Sequence, residues 1–289
     1  MKKLSLINGV FSENISVFDR GLAYGDGLFE TMSWQYIEKG NKKNQVEFWK
    51  RHLNRISFSC KRLKINFPKE NILQNYKDKI LNKANRLGIK KGILKLLITR
   101  GEGMRGYKFE KNMNPTIIFL AFPFSDYPDD FFQVGVTAEF CESYITSNRN
   151  LAGLKHLNRL DSVLARAEWN NEKIFEGMFI DEKKNIVEGT MTNIFFVKGK
   201  TLFTPRLLDY GINGIMREVV LENYDKFFDK LKITEIKKTS INEFDQMFLT
   251  NSLLKIVPVR KIGKHKYSIF DNTRRIIEHY QSARNLEFS

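Results

Sequence analysis

The sequence predicts an α+β protein in two parts, and three observations lead there. Runs with strand patterning and runs with helical spacing mix without the strict alternation of a doubly wound sheet. The chain has 289 residues, 42% of them hydrophobic, enough for one large core or two modest ones. Pro123-Phe-Ser-Asp-Tyr-Pro-Asp-Asp130 breaks the apolar pattern with two prolines and three aspartates. The expected organisation is one domain over residues 1–122, a linker at 123–130, and a second domain over 131–289.

The first segment reads as a hairpin, Leu4 to Ile7 and Val10 to Phe11, turned at Asn8-Gly9, a dipeptide that tolerates the positive φ angles of a tight turn. A Gly-rich loop from Asp19 to Gly27 leads into a strand from Leu28 to about Tyr36. Leu53, Ile56, Cys60 and Leu63 share one face of a predicted helix; Ile72, Tyr76, Ile80, Ala84 and Leu87 share one face of the next. Strands at Ile93–Thr99 and Thr116–Phe122 complete this half. Beyond the linker, strands are expected at Phe132–Ala138, Gly177–Ile180, Asn193–Val197, Thr201–Phe203, Gln246–Thr250 and Lys255–Val259. Helices are expected directly after Lys155, from Ile215 to about Phe228, and from about Ser268 to Arg284. Ser240-Ile-Asn-Glu243 has the form of a capping box, with Ser240 at the N-cap of a short helical turn.

A formal charge of +15 raises the question of nucleic acid, which a clustered basic face would bind. The runs Lys42-Lys43, Lys90-Lys91 and Lys183-Lys184 are scattered instead, and neither an aromatic platform nor a recognition motif accompanies them, so no nucleic-acid partner is expected. A positive field would still speed encounter with an anionic small molecule. The two cysteines, Cys60 and Cys141, have neither metal spacing nor a disulfide framework, and four dispersed histidines suggest no metal cluster. No apolar run approaches the roughly 20 residues needed to span a bilayer, and the amino terminus does not read as a signal peptide. The expectation is a cytoplasmic protein in a reducing compartment, with no membrane partner.

Three segments carry chemistry. Asn150-Leu-Ala-Gly-Leu-Lys-His-Leu-Asn-Arg-Leu-Asp161 sets Lys155 at the mouth of an amphipathic helix. Glu188 lies in Ile186-Val-Glu-Gly-Thr190, and Gly211-Ile-Asn-Gly-Ile-Met-Arg217 opens a second helix. Together they offer what pyridoxal phosphate needs: an amine for its aldehyde, a partner for its pyridine nitrogen, and donors for its phosphate. Alone, Lys155 would be one of many solvated lysines and Glu188 a surface carboxylate in a turn. The backbone amides of Ile215 and Met216 stand behind Gly214, where unpaired N–H groups and the helix dipole favour an anion.

On these residues the chain resembles the class IV pyridoxal-phosphate enzymes, the group of branched-chain and D-amino-acid aminotransferases and aminodeoxychorismate lyase. The resemblance runs from Asn8-Gly9 to about Val259, and Ala152–Leu160, Thr204-Pro-Arg206 and Gly211–Arg217 look most like the lyase. It implies a small amino-terminal domain, a larger barrel-like carboxy-terminal domain, the cofactor between them, and a homodimer. It also implies site residues. Lys155 would condense with the cofactor and serve as the general base; Glu188 would keep the pyridine nitrogen protonated, with Asn193 matching the family asparagine five residues on. Arg55 matches the arginine that clamps the phosphate, although as a residue it reads equally well as a solvated helix charge. Ser252 stands where the family offers a small or hydroxylated residue, and Met216 where a Thr is common in the aminotransferases.

On the substrate side, the planar guanidinium of Arg105 suits a carboxylate, and Arg105-Gly-Tyr107 replaces the Arg-x-His of D-amino-acid aminotransferases. Thr31, in Phe29-Glu30-Thr31, is a further candidate for substrate contact, whereas Glu30 also reads as a strand residue facing solvent. Asp19-Arg20 and Tyr24-Gly25 are expected to shape the loop below the site. The first expectation is a 4-amino-4-deoxychorismate lyase; an aminotransferase of the same class shares every cofactor residue and differs only on the substrate side.

Overall fold

The computed structural model describes residues 3–38, 43–124, 126–269 and 271–281. Among the described residues the chain divides into two compact units, one made of residues up to Asp126 together with Lys155–Asn158, the other of Tyr127–Leu154 and residues 159–281. Both mix helices and strands, so the α+β class holds.

In the first unit, β1 (Leu4–Ile7) and β2 (Val10–Phe11) form the expected hairpin. Asn8 and Gly9 at its tip have φ of 48° and 81°, as a tight turn between twisted strands requires. The Gly-rich loop contains a helix not expected, α1 (Arg20–Tyr24): the Asp19 side chain accepts from the Gly21 N–H and caps its start, and Gly25 ends it in the left-handed region. There follow β3 (Gly27–Ile37), β4 (Lys43–Val46), α2 (Trp49–Leu63), α3 (Glu70–Arg86), β5 (Lys91–Thr99) and β6 (Thr116–Pro123). The strands make an antiparallel sheet in the order β2-β1-β6-β5-β3-β4. Helix α2 packs on β3, and α3 on β1 and β6. Leu53, Ile56 and Cys60 of α2 are buried as expected. The inward face of α3 is Leu73, Lys77, Ile80, Leu81 and Ala84, one position round from the expected stripe. Lys77 is tolerated there because its ammonium lies 4.9 Å from the centre of the Trp49 ring and 3.6 Å from Asp78.

The second unit contains α4 (Asp129–Gln133), β7 (Val136–Tyr144), α5 (Leu160–Arg166), β8 (Glu176–Ile180), β9 (Asn185–Gly189), β10 (Asn193–Lys198) and β11 (Thr201–Pro205). It continues with α6 (Ile215–Glu222), β12 (Lys230–Thr234), β13 (Ile236–Lys237), β14 (Gln246–Asn251), β15 (Lys255–Ile262), β16 (His265–Lys266) and α7 (Asp271–Gln281). A ten-stranded sheet runs β12-β11-β10-β14-β15-β7-β8-β9-β13, with β16 added on β15. Because β9 also comes back against β10 and β11, the sheet curls into a nearly closed barrel. Val136, Met178, Phe196, Leu249, Val257 and Ile262 are among the side chains of its core.

Several boundaries differ from the expectations, each for a local reason. The strand placed at Phe132–Ala138 begins only at Val136, since Asp129 and Asp130 behind Pro128 favour a helical first turn instead. Helix α6 stops at Glu222 rather than Phe228: the Asn223 side chain donates back to the Val219 carbonyl, and Tyr224–Lys226 form a 3-10 turn. Ser240 is not an N-cap, because its hydroxyl donates to the Lys237 carbonyl from inside a 3-10 turn over Lys238–Glu243. The terminal helix is described over Asp271–Gln281, while residues 282–284 of its expected span, Phe270, and Lys42 of the first basic run lie outside the described residues. No helix among the described residues is long and apolar enough to cross a membrane.

Candidate active site

In the first unit, Lys155 is not at a helix mouth. The helix begins at Leu160, and Lys155–Leu157 instead run beside β3. The Phe29 N–H donates to the Lys155 carbonyl at 2.9 Å and the Leu157 N–H to the Gly27 carbonyl at 3.0 Å. The opening is there because β4 pairs only with Trp34–Ile37, leaving the start of β3 with an edge to fill. This pairing presents the half-buried Lys155 side chain over the Phe29 ring, Nζ 4.2 Å from its centre.

Next along β3, Glu30 points inward, 1% exposed, not to solvent. Its Oε1 accepts from Arg55 Nε at 2.8 Å; its Oε2 bonds to Arg55 Nη2 and to His52 Nδ1, the latter at 2.6 Å. His52 and Arg55 stand three apart on one face of α2. Burial by itself would raise the Glu30 carboxyl, but the Arg55 charge, the His52 charge and their hydrogen bonds outweigh it and hold it at about 2. Burial lowers the His52 pKa against the pull of Glu30, and the positive charges of Arg55 and Lys155 lower it further. Arg55 is therefore no merely solvated helix charge, and its guanidinium is oriented by a buried carboxylate. His52 carried no signal beyond its place three residues before Arg55.

Asp19 and Arg20 are structural, as expected. Asp19 Oδ2 accepts from the Thr99 and Thr116 hydroxyls at 2.9 and 2.6 Å. Arg20 donates to Asp26 and to the carbonyls of Gly106 and Tyr107, and Tyr24 Oη accepts from the Gly106 N–H at 3.1 Å. The loop of Arg105 and Tyr107 is thus held by its backbone, and both side chains are exposed. Neither bonds to Lys155; Thr31 is half-buried, opposite Lys95 on β5.

In the second unit, Glu188 is the penultimate residue of β9 and Asn193 begins β10, both buried. Glu188 Oε2 accepts from the Ile212 N–H at 2.8 Å and from Asn193 Nδ2 at 3.4 Å. Asn193 also donates to the Ile212 carbonyl at 2.9 Å and accepts from the Gly214 N–H at 3.1 Å. A Cβ on Gly214 would collide with Asn193 Oδ1, which is why glycine precedes α6. Asn193 thereby ties the Glu188 carboxylate to the start of α6, where no side chain caps Ile215 and Met216. Arg217, in the first turn of α6, is buried; burial pushes it down to about 10 against the opposing charge of Glu188, and its guanidinium donates to the Pro205 carbonyl at 3.2 Å. Ser252 is half-buried in the turn between β14 and β15, which Asn251 shapes by accepting from the Leu253 and Leu254 N–H groups. Arg217 and Asn251 had no assigned role in the sequence.

The chain is similar to known proteins over nearly its whole length. The model of the amino-transferase class IV family matches residues 27–262. An aminodeoxychorismate lyase of Vibrio harveyi is 30% identical over 93% of this chain and 97% of that enzyme. A putative branched-chain-amino-acid aminotransferase of Methanocaldococcus jannaschii is also 30% identical, over 96% of this chain and 95% of its own length. The crystal structure of 4-amino-4-deoxychorismate lyase from Pseudomonas aeruginosa superposes with a TM-score of 0.86 at 35% identity, covering 98% of this chain and all of the other. By the family model and by full-length relatives alike, the chain belongs to the amino-transferase class IV family.

Proposed function

We propose that the protein is a pyridoxal-phosphate-dependent 4-amino-4-deoxychorismate lyase that forms 4-aminobenzoate and pyruvate. The observation that carries this reading is the substrate loop: Arg105-Gly-Tyr107 has the lyase pattern, and its backbone is clamped by Arg20 and Tyr24 while both side chains stay exposed. Similarity to the Pseudomonas aeruginosa lyase over nearly the whole chain supports it.

The residues present fit the cofactor. The uncapped amides of Ile215 and Met216 suit a phosphate, as does Arg55, whose orientation Glu30 sets. The Ser252 hydroxyl adds a donor. The buried Glu188 carboxylate suits a protonated ring nitrogen, and Asn193 braces it. When bound, pyridoxal phosphate supplies an aldehyde that captures an amine and a ring that draws electrons from the adjacent carbon. Lys155 Nζ would hold the cofactor and, once displaced by the substrate amine, would be free to take the substrate C4 proton. Arg105 grips a substrate carboxylate, and Tyr107 and Thr31 line its ring. Enolpyruvate leaves as the ring becomes aromatic, which drives the step.

An aminotransferase is the second reading, favoured by the Methanocaldococcus jannaschii relative at equal identity. A product assay decides: aminodeoxychorismate should yield 4-aminobenzoate and pyruvate. Turnover of branched-chain or D-amino acids with 2-oxoglutarate or pyruvate, without 4-aminobenzoate, would replace the lyase by the aminotransferase. We assign the enzyme to the cytoplasm as a homodimer. The family resemblance supports the dimer, and the buried free thiols of Cys60 and Cys141, both pushed up to about 12 by burial, suit a reducing compartment.

A further inference from the structure

Glu176 opens β8, is fully buried, and belongs to none of the groups assigned above. Its carboxylate accepts five hydrogen bonds. Oε1 takes the N–H of Gly177 at 3.0 Å, the N–H of Thr190 at 3.0 Å and the Thr190 hydroxyl at 2.6 Å. Oε2 takes the N–H of Met191 at 3.2 Å and the Thr192 hydroxyl at 2.7 Å. Four of these five bonds come from three successive residues, Thr190 (two), Met191 and Thr192, which are the turn between β9 and β10. That turn is closed by the Gly189 N–H on the Thr192 carbonyl at 2.7 Å, and a Cβ on Gly189 would collide with the Thr192 hydroxyl and crowd Glu176 Oε2.

Two features make this more than a buried acid that has found partners. A turn between strands ordinarily satisfies its N–H groups with water, whereas here a single carboxylate takes them from the inside, in a region of low dielectric where such bonds are strong. The turn also joins Glu188 directly to Asn193, whose side chains together hold Ile212 and Gly214 at the start of α6. Any relaxation of residues 189–192 changes the separation of Glu188 and Asn193 and passes to the amides of Ile215 and Met216.

We infer that Glu176 is a positioning residue for the cofactor: it fixes the Gly189–Thr192 turn so that Glu188 and Asn193 meet, and through them sets the ring partner and the phosphate amides at once. The inference rests on the pyridoxal-phosphate reading above. Glu176→Gln keeps the size of the side chain but turns an NH2 group toward a pocket lined with donors, so the Met191 N–H or the Gly177 N–H loses its side-chain acceptor.

The test compares the full-length protein with Glu176→Gln, Glu188→Gln and Ile80→Ala, the last a core change in α3 that lowers stability without touching this turn. Pyridoxal phosphate is titrated into each apoprotein, the pH midpoint of the bound-cofactor absorbance is recorded, and thermal melts report stability. Glu176→Gln should weaken cofactor binding roughly tenfold, the scale on which outer residues that orient a binding group act. It should also move the pH midpoint in the same direction as Glu188→Gln. Ile80→Ala should leave both at wild-type values despite a lower melting temperature. If Glu188→Gln shifts affinity and midpoint while Glu176→Gln shifts neither, the positioning role is overturned and the cofactor reading stands. If Glu188→Gln is also like wild type, the assignment of Glu188 falls and this inference falls with it. Should Glu176→Gln fail to fold, Thr192→Val, which removes one donor to the carboxylate, is read by the same two measurements against the same outcomes.

Discussion

Two fully buried carboxylates, Glu30 in the first unit and Glu176 in the second, are held in opposite ways. In the first, Glu30 is held by charge, with Arg55 and His52 on one helix face closing on a strand residue. In the second, Glu176 is held by neutral donors, backbone N–H groups and hydroxyls. The difference decides what a substitution leaves behind. Removing one member of an ionic cluster strands a buried charge, whereas removing an acceptor for neutral donors strands N–H groups that shift the local backbone to find water. The ionic cluster should therefore govern stability, and the neutral network should govern geometry.

The strongest test of that contrast is Glu30→Ala, which leaves Arg55 without its buried counter-charge. It should cost about 3–5 kcal/mol in chemical denaturation; a loss under about 1 kcal/mol would mean that the cluster is solvated in solution. The pH dependence sharpens it. Because the folded Glu30 carboxyl is held at about 2, below its ordinary 4.5, its contribution is fully present above pH 4.5, shrinks as pH falls, and is gone below about 2. The gap in stability between wild type and Glu30→Gln should close over that window; a constant gap would contradict the ionic account.

A smaller effect is expected from Gly214→Ala, whose methyl group would press on Asn193 Oδ1. Overpacking of this kind costs roughly 1–3 kcal/mol, and the cost should appear as weaker cofactor binding more than as a lower melting temperature. Equal affinity for pyridoxal phosphate in the two proteins would separate the Glu188–Asn193 brace from the cofactor. The smallest effect on stability belongs to Arg105→Ala, an exposed position where changes stay within roughly 0.5 kcal/mol. Kinetics should show a raised KM for the anionic substrate with cofactor absorbance unchanged, and an unaltered KM would remove Arg105 from the substrate site.

Local chemistry was legible in the chain. Asn8-Gly9 turns its hairpin because the positive φ angles are a property of those two residues alone. Helix α2 could be read from Leu53, Ile56 and Cys60, since their spacing matches the helical repeat and nothing distant competes. Lys155, Glu188 and the Gly211–Arg217 segment stood out by residue type and motif. Where an element's end is settled by one side chain choosing between partners, as Asn223 and Ser240 do, the pattern misled.

What the sequence by itself determined was the class and the family, together with the candidates for the reactive groups, because these depend on residue type and on spacing within one turn or strand. Tertiary structure alone decided how those groups are held. Lys155 lies beside β3 rather than at the mouth of a helix because a strand edge far away in sequence was left open. Glu30 faces inward because α2 brings Arg55 and His52 to it, and alternation along a strand cannot say which face a helix will cover. Glu176 reaches the turn beside Glu188 only through the pairing of β8 with β9. Each of these depends on hydrogen bonds between residues well separated along the chain, and no local pattern encodes them.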